Sequence, residues 1–400
     1  MDTSFRRLYN DALALLRQLT TPYGILASAL EADNYKKIWA RDGVICGIAG
    51  LLAEDETLME GLKNTLITLA ENQHSSGMIP SNVAPDKNDV SYGSLAGRVD
   101  ANTWFMVGAC LYMLHTGDSK TWQALLPALQ KCRSFLKTIE FNGKGWIYTP
   151  LSGNWADEYP VHGYTLYDNV LRIWGESLWN KMQGEADEQL RQLKEKTLTN
   201  FWPREDVPQH LVYHEPAFKE ALKASVPHFL AFILPGAYDT RFDAAGNALA
   251  LLHFQLTPDR KTSLLNFLDT LKHSVPGTLL PAFWPVVREG DRDWELMKNN
   301  YAFGFKNRPY HFHNGGIWPV WTGLFCLGLA ASDLREALTA VVDSLTAVIP
   351  ENGTWDFPEY LAADTLRAAG KSQMGFTASG IVFMYKAFQN KDDIRQKLGL

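Results

Sequence analysis

Near the end of the chain, Gly353-Thr-Trp-Asp-Phe-Pro-Glu359-Tyr sets one carboxylate between aromatic residues and a proline. Proline disfavours helix at the residue before it and gives no N–H to a ladder, so Glu359 is expected on a shaped loop. Aromatic walls beside a carboxylate suit a pyranose, which has apolar C–H faces and a polar edge. Four more stretches set acids or amides beside Trp, Arg or His: Trp39-Ala-Arg41-Asp42, Arg98-Val-Asp100 with Trp104, Trp155-Ala-Asp157-Glu158, and His313-Asn314 with Trp318. Each precedes an apolar run. Each acid is also a candidate N-cap, a reading that Asp42 and Asp100 fit. Gathered on one rim of helix N-termini, the five loops would build a polar pocket, because those termini offer unpaired N–H groups to hydroxyls and anions. Carboxylates among aromatics, with no nucleophilic serine motif or phosphate loop, point to cleavage of a glycosidic bond. His311 and His313 lack a third ligand at short spacing, so no metal is expected, and no cofactor. Asn314-Gly-Gly-Ile lacks the order of a phosphate loop and its following Lys-Ser/Thr.

Helices are expected to hold these stretches. Helical apolar spacing covers about 4–19, 44–53, 56–72, 99–115, 119–139, 164–182 and 185–199, then 243–255, 259–273, 317–330, 333–348 and 373–389. Ala221–Leu234 adds an apolar stretch, and Val275–Asn314 reads as a long loop rich in Pro, Trp and Arg. The total is twelve or thirteen helices with almost no strand alternation. Charged segments such as 185–199 alternate with nearly uncharged ones such as 317–330. The first kind suits an outer ring facing water, the second an inner ring buried all round. The expectation is an all-α (α/α)6 barrel, a closed double ring of six helix hairpins. With no clear linker and no fixed repeat period, residues 1–400 are read as one catalytic domain.

Composition narrows the partners. At 46% hydrophobic and 20% charged residues, the chain is globular with a large core. Net charge is −6 without a basic block, which argues against nucleic acid. Thirteen Trp, 15 Tyr and 20 Phe, many beside Gly, Pro or acids, fit a carbohydrate partner, although most aromatics in such a chain are core. Cys46, Cys110, Cys132 and Cys326 show no metal or redox spacing and read as buried, reduced thiols. Asp11 and Arg17 interrupt the first segment, leaving no signal-peptide core. Pro319 and several glycines interrupt Gly315–Ala331, so a buried helix is expected rather than a membrane span. A cytoplasmic protein is expected, and oligomeric state is not encoded in these patterns.

Taken together, the stretches resemble the neutral/alkaline invertases, inverting glycoside hydrolases on an (α/α)6 barrel related to glucosidases of wider specificity. Trp39-Ala-Arg41-Asp42 resembles the family's Arg-Asp-Phe entry, and Gly77-Met-Ile-Pro80 its Gly-Leu-Met-Pro. Gly97-Arg-Val-Asp100-Ala-Asn-Thr-Trp104 is similar to Gly-Arg-Val…Asp-Ser-Gly-Leu-Trp. Asp157 with His162-Gly163 looks like the stretch holding the general acid. Asp239-Thr-Arg241-Phe…Gly246-Asn247, His313-Asn-Gly-Gly-Ile-Trp318-Pro319 and Pro358-Glu359-Tyr360 follow in the family's order, the last matching the general base. The resemblance runs through nearly the whole chain. It departs at Gly43 (Phe in the family), at Glu158-Tyr159 (two arginines) and at Gln373-Met-Gly-Phe376 (Gln-x-Trp), where the leaving group should sit.

The resemblance implies general acid Asp157, with adjacent Glu158 as the alternative, and general base Glu359. It puts Arg41 and Asp42 on sugar hydroxyls at the bottom of the pocket. Trp39, Trp104, Trp155 and Trp318 would be apolar walls, and His162 and His313 hydrogen-bond partners, with Asp100 and Asn314 on the same rim. Inversion asks for carboxyl groups roughly 6.5–9.5 Å apart. Sucrose is the leading substrate, followed by α-1,6-linked or short malto-oligosaccharides. A sugar 2-epimerase using paired histidines on the same barrel, and a catalytically silent sugar-binding protein, are the alternatives.

Overall fold

The segments poorest in charge form helices that water does not reach. The computed structural model describes residues 3–30, 35–93, 96–184, 187–300, 302–349 and 355–400. Gly353 and Thr354 of the aromatic stretch, residues 94–95 of the expected polar loop and 185–186 of the expected charged helix lie outside them. Fifteen α-helices occur among the described residues. They are α1 (Thr3–Leu19), α2 (Ala40–Ala53), α3 (Glu56–Glu71), α4 (Val99–Thr116) and α5 (Ser119–Thr138). Next come α6 (Leu166–Gln183), α7 (Glu188–Phe201), α8 (Glu215–Lys223), α9 (Ala244–His253) and α10 (Pro258–Leu271). The last are α11 (Trp294–Asn300), α12 (Pro319–Ala331), α13 (Arg335–Thr346), α14 (Gly375–Lys386) and α15 (Lys391–Lys397).

Helices α2, α4, α6, α9, α12 and α14 each pack on the next, and α14 returns to α2, closing a ring. Their residues are buried on nearly every side, as in α12 from Pro319 to Ala330. Helices α3, α5, α10 and α13 bury one stripe at helical spacing, as Leu125, Leu129, Cys132 and Leu136 do in α5. Helix α7 buries only Thr197, Thr199, Asn200 and Phe201, as its charge predicts. The first helix packs on α14 and completes the outer layer. This is the expected (α/α)6 barrel. Pro319 does not interrupt α12 but starts it, at a position whose N–H would have no helical partner anyway. No helix among the described residues is long and apolar enough to cross a membrane.

Three expectations need correction. Almost no strand was expected, but the apolar stretch Ala221–Leu234 divides: α8 ends at Lys223, and Leu230–Leu234 is a strand turning through Pro235-Gly236 into Ala237–Asp243. Ser225, at φ +45°, and Pro227 end the helix within the run, and Pro235-Gly236 then turns the strand into a hairpin. Tyr164–Thr165 and Phe283–Trp284 flank it, making a four-stranded antiparallel sheet. The expected loop 275–314 also contains α11. Finally, α2 begins at Ala40, so Arg41 and Asp42 lie in its first turn rather than before it. Asp42 and Asp100 are not N-caps; those positions belong to Trp39 and Arg98.

Short strands run directly into inner helices: Ile38–Trp39 into α2, Tyr164–Thr165 into α6 and Ala237–Asp243 into α9. They lead the chain into the N-terminal ends of three inner helices, at the mouth of the ring.

Candidate active site

A cavity of about 740 Å³ opens at that mouth. Trp39, Arg41, Asp42, Trp155, Asp157, Glu158, His313, Trp318 and Glu359 all line it, so nine of the thirteen residues singled out in the sequence meet in one space. A larger groove, about 1230 Å³, lies on the outer wall beside α5 and α7. It gathers none of them, and its buried cation Arg172 is already paired with Glu140 at 2.5 Å.

Glu359 sits after Pro358 on a bend leading into Tyr360–Leu361, which pairs with Ala368–Ala369. Gly370, at φ +77°, lets that hairpin pass so close that a Cβ there would lie 2.3 Å from Glu359 Oε2. The Tyr35 hydroxyl donates to Oε1 at 2.7 Å and the Lys371 N–H to Oε2 at 3.1 Å. Burial pushes this carboxyl above its usual range, while Tyr35 and the Lys371 amide pull it back.

On the lining of the same cavity, Arg98 donates to Asp157 Oδ2 at 2.5 Å and also holds the Ser152 carbonyl. The end of α11 and the segment after it clamp the backbone of both acids: Asn300 donates to the Asp157 carbonyl at 3.0 Å and Asn307 to that of Glu158 at 2.8 Å. Lys306 reaches Glu158 Oε1 at 3.0 Å. Burial lifts the Glu158 carboxyl, with Lys306 opposing.

At the floor, Arg41 is bound to Asp100 at 2.8 Å and lies 3.8 Å from Asp42, its guanidinium over the Phe376 ring. Burial raises Asp42 to about 6 against the pull of Arg41, with Asp100 adding to the rise. Trp155 packs edge-on to Trp318 and His313, with centroids at 5.5 and 5.0 Å. Burial holds His313 well below its ordinary value, so its imidazole is neutral.

Buried polar atoms are almost always paired. Eleven side-chain atoms among the described residues are not, and five of these belong to cavity residues: Arg41 Nε, Asn82 Oδ1, Trp155 Nε1, Glu158 Oε2 and His313 Nδ1. Such a concentration of donors and acceptors suits a ligand rich in hydroxyls.

Four expected residues stand back from the space. Trp104 is fully buried and donates to the Tyr167 hydroxyl at 2.7 Å; it supports the floor and is no wall. Asp100 accepts from Arg41 and Tyr167 beneath the cavity, because α4 turns it inward toward α2 and α6. Asn314 is consumed by the Val287 N–H and carbonyl and the Asn307 carbonyl, so it pins loops together. His162 lies against Phe232 of the sheet, away from the lining. The structure adds Tyr35, Asn82, Arg98, Asn300, Lys306, Phe312 and Phe376. Arg98 stood in a motif without a role assigned to it, and Phe376 in one of the departures. Tyr35 and Lys306 carry no local signal, since each is defined by a partner far along the chain.

The family model described as alkaline and neutral invertase matches residues 199–389, a span that contains Glu359 but not Asp157. Cytosolic invertase 1 of Oryza sativa subsp. japonica is 24% identical over 149 residues, 37% of this chain and 25% of that protein. The chain thus matches about a quarter of that relative's length. The GH63 mannosylglycerate hydrolase from Thermus thermophilus, in complex with glucose, superposes with a TM-score of 0.65 at 13% identity, over 94% of this chain and 99% of that one. A bacterial glucoamylase complexed with acarbose gives 0.62 at 14% identity, over 98% and 57%. At these identities the structural likeness is one of fold, and it is the six-hairpin barrel.

Proposed function

We propose that the chain is a glycoside hydrolase that cleaves an α-glucosidic bond with inversion, sucrose being the leading candidate. The observation that carries this reading is the meeting of Asp157 and Glu359 in one aromatic cavity with unpaired polar atoms. The invertase match and the resemblance of the motifs support it.

In the proposed step, Asp157 is the acid. Arg98 occupies Oδ2, which leaves Oδ1 as the oxygen that delivers a proton to the glycosidic oxygen as the C1–O bond breaks. Glu359, anchored by Tyr35 and the Lys371 N–H, takes a proton from water as that water's oxygen bonds to C1 from the opposite face. The leaving group departs with the acid's proton, and the base ends protonated, so the pair resets by proton exchange with solvent. Arg41, Asp42 and neutral His313 bind sugar hydroxyls, and Trp155 and Trp318 cover its apolar faces. The four cysteines are buried free thiols, which fits the cytoplasmic expectation.

A panel of α-glucosides followed by proton NMR tests the reading. Release of β-glucose first is expected. Asp157→Asn and Glu359→Gln should each lower turnover by roughly 10²–10⁴-fold with the fold intact. A variant with near-normal rate removes its residue from the mechanism, and α-glucose as first product removes inversion. Epimerisation would need both histidines at one substrate carbon. His311 instead faces Asp364 at 3.9 Å and does not line the cavity.

A further inference from the structure

The cavity has a deep end and an outer end. Asp42 and Glu359 are 5% and 7% exposed, whereas the Asp157 side chain is 36% exposed. A glucosyl unit held by Arg41 and Asp42 at the deep end directs its leaving group toward Lys306, whose side chain is 51% exposed, and the Glu158 carboxyl that Lys306 holds. Glu158 is oriented from two sides, by Asn307 on its carbonyl and Lys306 on Oε1. Its other oxygen, Oε2, is buried and accepts no hydrogen bond. Burial raises the carboxyl, while Glu158 in turn raises Lys306 against the burial that lowers it.

Charge around this end is already matched among the described residues. Arg41 is committed to Asp100, Arg98 to Asp157 and Lys306 to Glu158. A buried acceptor with an open lone pair gains from an incoming O–H. An anion beside it meets the charges of Glu158 and Glu359 with Lys306 already engaged, and like charges side by side disfavour binding.

We infer that Glu158, held by Lys306, selects the leaving group: it admits neutral hydroxyl-bearing aglycones and rejects those carrying a carboxylate or phosphate. This rests on the hydrolase reading and extends it to the class of leaving group.

The test compares wild type and Glu158→Gln on a matched pair of glucosides, one with glycerol as leaving group and one with glycerate, by kcat/KM. Circular dichroism confirms the fold. The amide keeps the shape and one acceptor and removes the charge. Wild type should prefer the glycerol compound, and Glu158→Gln should shrink that preference by roughly tenfold or more, chiefly through KM on the anion. Adding Lys306→Gln should abolish the gain. If Glu158→Gln does not fold, Lys306→Gln alone, at a half-exposed side chain, should widen the preference for the neutral compound. An unchanged preference in either folded variant overturns the selection. An equal loss on both substrates in Glu158→Gln also overturns it, by making Glu158 the proton donor. Both results leave the hydrolase reading standing. A wild type inactive on every glucoside overturns that reading and the selection with it.

Discussion

At the residue scale, Tyr35 is the side chain whose contribution is most easily separated. Its hydroxyl donates to Glu359 Oε1 and helps keep a carboxyl raised by burial available as a base. Tyr35→Phe removes a donor that favours the ionised form, so the Glu359 pKa should rise further. A base works only when ionised, so the acidic limb of the kcat/KM profile should move to higher pH. Turnover should fall by about tenfold, in line with one hydrogen bond to a charged group. A pH–rate profile of the variant checks the shift, and an unmoved limb would mean that Tyr35 only fills space. Glu359 itself was legible on its loop because Pro358 acts on the residues beside it. Tyr35 was not, because its partner is 324 residues away and nothing in Asn34-Tyr35-Lys36 announces it.

At the scale of elements, close packing of the inner helices sets the shape of the mouth. Helices α12 and α14 approach so tightly that a Cβ on Gly380 would lie 2.2 Å from the Pro319 carbonyl oxygen. Backbone on both sides cannot swing away as a side chain can. Gly380→Ala should therefore destabilise by about 1–3 kcal/mol or more, read as a lower urea midpoint. It should also weaken substrate binding, since Trp318 is the N-cap of α12. The inner N-termini carry a second signature in Asp243, the N-cap of α9, where burial raises the carboxyl to about 7. Between about pH 4 and 7 the native state keeps a proton that the unfolded chain releases, so this group's contribution to stability falls as pH rises. Asp243→Asn should flatten that slope and leave the variant more stable than wild type above pH 7, by on the order of 2–4 kcal/mol. Denaturation at pH 5 and pH 8 checks the sign.

At the scale of the whole molecule, a closed ring makes distant segments depend on one another. Helix α1 buries Phe5, Leu8, Ala12, Leu13, Leu15, Leu16 and Leu19, and Tyr9 stacks on Tyr385 of α14 at 4.0 Å. At about 1.5–3 kcal/mol for each large side chain, that contact is comparable to the entire stability of a typical protein. Removal of residues 1–19 should leave a chain without a cooperative thermal transition. A soluble, cooperatively melting truncation would show that the ring closes without α1.

The sequence by itself determined the two kinds of helix, their alternation and the loops that bear acids. Burial on one face or on all faces is written in local spacing at the helical period, as in charged α7 and uncharged α12. The four-stranded sheet was not legible, because Leu230–Leu234 read as the end of one apolar stretch and Phe283–Trp284 as part of a loop. Which side chains enter the cavity was settled by packing in three dimensions. A first-turn residue faces the space or the core according to the rotation of its helix, so Arg41 lines the floor and Asp100 lies beneath it. The set is completed by contacts such as Lys306 with Glu158, which span 148 residues. Such contacts follow from closure of the ring, and closure is a property of all six inner helices at once.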